Sequence, residues 1–119
     1  SYAPTATGTL TTALTLADAT AIDARNGSGV GSLNLLGLWT GTLTVTSADM
    51  AASPTWTFGT STDDGSVVLI DLDRDGFFGA TDRIVNNNFS QGATARTGNV
   101  TFPAAGTYKI AIAYFQGTG

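Results

Sequence analysis

Histidine, cysteine and glutamate are all missing from this chain of 119 residues. Their absence rules out a zinc site of the usual kind, a Ser-His-Asp triad, a thiol nucleophile and a disulfide framework. Charge is scarce as well, at 12% of residues. A weakly acidic surface with one lysine makes nucleic acid and anionic membranes poor partners. No run of about 18 apolar residues is available to span a bilayer, so membrane insertion is not expected. No charged-then-apolar leader opens the sequence, and Ser1 reads as the start of a mature or excised segment. Lack of cysteine leaves the compartment open, because oxidising environments permit disulfides without demanding them.

Threonine is abundant at 21 residues, and the apolar set is rich in Val, Ile, Leu and aromatics, a composition suited to β-structure. Period-two alternation marks residues 9–16 (TLTTALTL), after which residues 17–32 read as a long polar loop. It resumes over 35–46, with Trp39, Leu43 and Val45 on one parity, and over 55–60 with Trp56 and Phe58. The short apolar run 66–71, strands near 83–85 and 98–102, and the final run 107–116 complete about seven strands. A turn is expected at 51–54 and no helix. The spacing predicts an antiparallel β-sandwich in a single domain, residues 1–119. Trp39 and Trp56 are read as core. Three N-x-S/T sequons, at Asn26, Asn88 and Asn99, carry little weight in a sequence this rich in Ser and Thr.

All nine acids are aspartate. Six of them, Asp63, Asp64, Asp71, Asp73, Asp75 and Asp82, fall in residues 63–82, and with Arg74 and the adjoining Arg83 they place the whole net charge of −4 in residues 63–83. Within that segment, residues 71–82 (DLDRDGFFGATD) place aspartates at positions 1, 3, 5 and 12 of a twelve-residue loop, with glycine at 6 and an apolar residue at 8. A hard cation needs about six to eight oxygens, and this spacing offers alternate carboxylates plus the Phe77 carbonyl around a turn at Gly76. A solvated Asp/Gly hairpin would use the same residue types. Four carboxylates within twelve residues repel one another, however, and favour calcium held by Asp71, Asp73, Asp75, the Phe77 carbonyl and Asp82. The flanking segments read as strands, so this is a calcium clasp in a β protein rather than an EF-hand.

Residues 38–45 (LWTGTLTV), Trp56 and Phe58, then 61–66 (STDDGS) with Val68, Ile70 and Asp71, then 84–86 (IVN) and 105–108 (AGTY) leading to 113–116 (AYFQ) together resemble the protective-antigen (PA-fourteen) domain family. That family is a β-sandwich of bacterial toxins, glycosidases and yeast adhesins, and the likeness covers about two-thirds of the chain. In its sugar-binding branch paired aspartates form a cis peptide and hold a calcium ion that coordinates glycan hydroxyls. The resemblance thus implies that Asp63 and Asp64 hold or share a second ion. Asn87, in the run 86–88, is a further candidate to lend an amide oxygen to the sugar. An Asp-Gly hairpin turn is the alternative reading of residues 63–65.

Two features depart from the family. Its chain usually continues past the Tyr-Phe-Gln strand into a closing apolar strand, which this sequence lacks, and the amino-terminal third has a Thr/Leu run in place of an aromatic opening strand. An uncovered sheet edge needs a partner. Residues 1–20 are therefore expected to pair within the subunit or to insert into a neighbour as a donated strand, giving a homopolymer. An excised fragment would show the same ending. Catalysis is not expected, because adjacent Asp63 and Asp64 cannot flank a glycosidic bond as two carboxyls about 5 to 9 Å apart would. The sequence thus points to an extracellular or cell-surface calcium-binding subunit of a filament or tube, structural or adhesive. The alternative is a calcium-dependent lectin module of a larger secreted protein.

Overall fold

Residues of alternating character build the sheets: along residues 55–62, Trp56, Phe58, Thr60 and Thr62 turn inward while their neighbours face solvent. The computed structural model describes residues 35–117. In chain order these form β1 (Leu35–Val45), α1 (Ser47–Ala52), β2 (Thr55–Thr62), β3 (Gly65–Ile70), a 3₁₀ turn (Ala80–Asp82), β4 (Arg83–Asn87), β5 (Thr94–Thr101) and β6 (Gly106–Gln116). One sheet has the order β1-β6-β3-β4 and the other pairs β2 with β5. The β2–β5, β3–β4 and β3–β6 pairs are antiparallel.

The architecture is an all-β sandwich. Val45, Val68, Ile70, Val85 and Tyr108 from the larger sheet meet Val100 and Phe102 from the strand β5 side, with Trp56 and Phe58 packed against them. Trp56 meets Phe102 edge-on at 5.1 Å, and Phe102 lies 5.0 Å from Tyr108. This apolar half of the interior gives way, at the far ends of β2 and β4, to a polar half. There Thr60, Thr62, Ser66 and Asn87 hydrogen-bond among themselves.

Six strands match expected segments. Strand β5 begins at Thr94 rather than near residue 98, because residues 94–97 are polar and gain their order from pairing with 59–62 of β2. A helix the residues gave no periodic sign of takes up the first half of the turn expected at 51–54, leaving Ser53 and Pro54 as the turn. Thr46 and Asp49 form a reciprocal cap: the Asp49 N–H donates to Thr46 Oγ1 at 3.0 Å and the Thr46 N–H donates to Asp49 Oδ2 at 2.8 Å. Such a box is worth about 1 kcal/mol, and Met50 packs the six-residue helix against the core. The expected strand at 9–16, the loop at 17–32 and the exchangeable segment 1–20 lie outside the described residues. No described helix is long and apolar enough to cross a membrane.

Candidate metal centre

Strand β3 delivers its last residue, Ile70, into the core, and the chain then leaves the sheet as the acidic loop 71–82. The loop is held at its start by the Asp71 N–H, which donates to the Lys109 carbonyl of β6 at 3.0 Å. From there the aspartates fold the backbone around their own carboxylates. The Asp75 N–H donates to Asp71 Oδ1 at 3.3 Å and to Asp73 Oδ1 at 3.2 Å. The Gly76 N–H donates to Asp71 Oδ2 at 2.9 Å, and the Phe77 N–H to Asp75 Oδ1 at 2.9 Å. Gly76 has φ of 88°, a left-handed conformation that a Cβ disfavours, which is why glycine stands at the sixth position. At the loop's end the Gly79 N–H donates to Asp82 Oδ2 at 2.7 Å, aiming that carboxylate back across the turn.

The result is a cluster in which one carboxylate oxygen each from Asp71, Asp73 and Asp82 lies within 4.8 Å of the others. Asp71 is 2% exposed and Asp82 5%, while Asp73 faces solvent. These three could hold a metal ion. Burial pushes the Asp71 carboxyl up, but the Gly76 N–H and hydrogen bonds from Asp73 and Asp75 outweigh it and hold the group below 3.8. Asp73 moves the other way, because its hydrogen bond to Asp71 and the negative charges of Asp75 and Asp71 favour its protonated form. A proton shared between like charges is what a cation would replace. Asp75, expected among the ligands, stands outside the group of three; its Oδ1 is taken by the Phe77 N–H. The Phe77 ring projects into solvent.

Asp63 and Asp64 lie at the other end of β3. The strand's six residues, at about 3.3 Å each, separate the two acidic sites by roughly 20 Å, so the pair cannot share the ion of the 71–82 loop. The Asp63–Asp64 peptide is cis. Asp63 is exposed and Asp64 is buried. Tyr114 Oη donates to the Asp63 carbonyl at 2.5 Å. The Gln91 N–H donates to Asp64 Oδ1 at 3.0 Å and Gln91 Nε2 to the Asp64 carbonyl at 3.2 Å.

Asn87 does not present an amide to a sugar. It is fully buried, its Nδ2 donates to the Thr94 carbonyl at 2.9 Å, and its Oδ1 accepts from Gln91 Nε2 at 2.7 Å and Arg96 Nε at 3.1 Å. The expected glycan contact is therefore corrected to a structural one, a polar hub under the aspartate pair. Gln91, Arg96 and Tyr114 were missed as positioning residues. Their bonds to the 62–64 and 87 region connect positions as far as 51 residues apart, and no local spacing announces them. Trp56 is half-buried against the core, and Trp39 is half-buried on β1.

Compared with protein families, with curated proteins and with solved structures, the chain matches none.

Proposed function

We propose that this chain is an extracellular calcium-binding β-sandwich of the protective-antigen type, serving as a self-assembling structural or adhesive subunit of a surface filament or tube. The observation that carries the metal assignment is the convergence of Asp71, Asp73 and Asp82 oxygens to within 4.8 Å with two of the three carboxylates buried. Buried like charges require a proton or a cation, and an all-oxygen donor set selects a hard one. Calcium accepts the irregular oxygen shell that a single loop supplies, whereas magnesium demands a near-ideal octahedron. Asp71, Asp73 and Asp82 would hold the ion, with Asp75 and the Phe77 carbonyl as the further oxygens the loop carries.

The partners in this reading are copies of the chain, joined by strand addition. Outside residues 63–83 the charges balance, so one calcium in the loop and a second at Asp63 and Asp64 would bring the formal charge from −4 to near zero and lower the repulsion between subunits. Calorimetric titration of calcium and magnesium chloride into chelator-stripped protein, with size-exclusion chromatography in parallel, tests it. Calcium-selective heat and larger species in calcium are expected; absence of heat contradicts the metal assignment, and a monomer in both conditions contradicts assembly.

The exposed Asp63 carboxylate beside the anchored Asp64 favours a second reading, a calcium-bridged glycan site. A glycan array read with wild type, Asp63→Asn and Asp64→Asn decides it: binding that survives both substitutions rules out a metal bridge.

A further inference from the structure

Arg74 occupies the fourth position of the acidic loop, between Asp73 and Asp75, yet its side chain leaves the loop. Its backbone is left-handed, with φ of 57°, a conformation uncommon for a residue with a Cβ. The guanidinium lies 4.3 Å from the centroid of the Tyr108 ring, and Nη2 donates to the Ala105 carbonyl at 3.1 Å. Gly106 makes room for it: a Cβ there would stand 2.4 Å from Nη2, and its φ of 150° is one that side chains rarely adopt. Tyr108 is itself immobile, being fully buried with its hydroxyl donating to the Ala104 carbonyl at 2.6 Å.

The geometry points to Arg74 as a positioning residue that latches the acidic loop onto the β5–β6 turn and so sets the loop's affinity for its cation. The inference rests on the calcium reading of residues 71–82. Two effects combine. Drawing the guanidinium to Ala105 and Tyr108 keeps a competing positive charge away from the carboxylates that flank it. It also fixes the loop at its fourth residue, as the Asp71 N–H to Lys109 bond fixes it at its first. The loop is then held before the ion arrives, and less order has to be gained on binding. A flexible ammonium would not reproduce this, because the planar guanidinium both stacks on the ring and donates in its plane.

The test is calcium titration calorimetry on wild type, Arg74→Ala, Arg74→Lys and Gly106→Ala. It is paired with amide hydrogen exchange at Asp75 and Gly76 in chelator. The expected result is calcium affinity lowered by about tenfold in Arg74→Ala and in Gly106→Ala, with partial recovery in Arg74→Lys. Faster exchange at the two amides should appear even without calcium. A general structural defect would instead lower the unfolding midpoint in chelator and leave affinity unchanged. Wild-type binding with unchanged affinity in all three variants overturns the inference. If wild type itself gives no heat, the calcium reading fails; the exchange data then still decide whether the latch exists, and unaltered exchange overturns it as well. Should Arg74→Ala not fold, Arg74→Lys and Gly106→Ala carry the comparison.

Discussion

The two acidic sites sit at opposite ends of one six-residue strand and are built in opposite ways. The loop 71–82 organises itself: every hydrogen bond that shapes its carboxylates joins residues two to five positions apart. The Asp63–Asp64 step is organised from outside, by Gln91 from 27 positions away and Tyr114 from 51. A loop whose carboxylates are set by local bonds answers to its own composition and to the Arg74 contact with Ala105 and Tyr108, and not to the polar half of the interior. A step held by distant residues inherits their packing, so its geometry depends on the polar half of the interior. The difference also assigns the buried charge: in the loop three carboxylates converge, whereas at the pair one aspartate is exposed and the other is tied to Gln91.

The sharpest way to break this contrast is through Asn87. Asn87→Ala takes from a fully buried position both the acceptor of half-buried Gln91 and the donor to the half-buried Thr94 carbonyl, and unsatisfied buried groups cost about 1–3 kcal/mol each. Urea unfolding in chelator should show a loss of about 3 kcal/mol. Calcium affinity of the 71–82 loop should remain within about twofold, since Asn87 supports only the pair. Coupled loss at both sites would show that they are not independent.

Next in size is Asp71→Asn, which removes the buried charge at the centre of the cluster. Calorimetry should register calcium affinity lower by roughly two orders of magnitude, with the environment of Tyr114 at the distant pair unchanged by near-ultraviolet circular dichroism. Acid should act on the loop in the same direction. Asp73 holds its proton to a higher pH than the ordinary 3.8, and calcium has to displace that proton. Binding is therefore full well above the raised range and weakens as pH falls through it toward the ordinary carboxylate value, in wild type and in Asp63→Asn alike. A pH-independent affinity would argue against carboxylate ligation.

The smallest effect belongs to the pair. Burial, and then the charges of Asp63 and Asp64, push the Tyr114 phenol above 10.0. Its contribution to stability is complete below about pH 10 and is lost as pH rises through the raised value. Asp63→Asn should bring the phenol's titration midpoint down, measured by ultraviolet absorbance, while Asp71→Asn leaves it in place.

This division also explains what could be read from the residues. Strands β1, β2, β3 and β6 announce themselves through alternation or a compact apolar run, and the loop through Asp at alternate positions with Gly76 at the turn, because both are local properties. The helix at Ser47–Ala52 had a local signal too, Thr46 three residues before Asp49, but it is short and buries no residue, so hydrophobic periodicity cannot reveal it. The first half of β5 is polar and is ordered only by its partner strand. Asn87 was misassigned for the same reason. An asparagine in a run of three reads as surface, and only the meeting of β4 with residues 60, 62, 91, 94 and 96 turns it into the hub of the interior. Asp75 has the spacing of a ligand and its Oδ1 accepts the Phe77 N–H, which leaves Oδ2 as the oxygen it would offer an ion, a choice that spacing does not encode.

The central claim is that the 71–82 loop is a calcium site, and an anomalous difference map from crystals grown in calcium tests it most directly. The account predicts a peak bounded by carboxylate oxygens of Asp71, Asp73 and Asp82. A map without density there, from crystals whose loop is ordered, would contradict it.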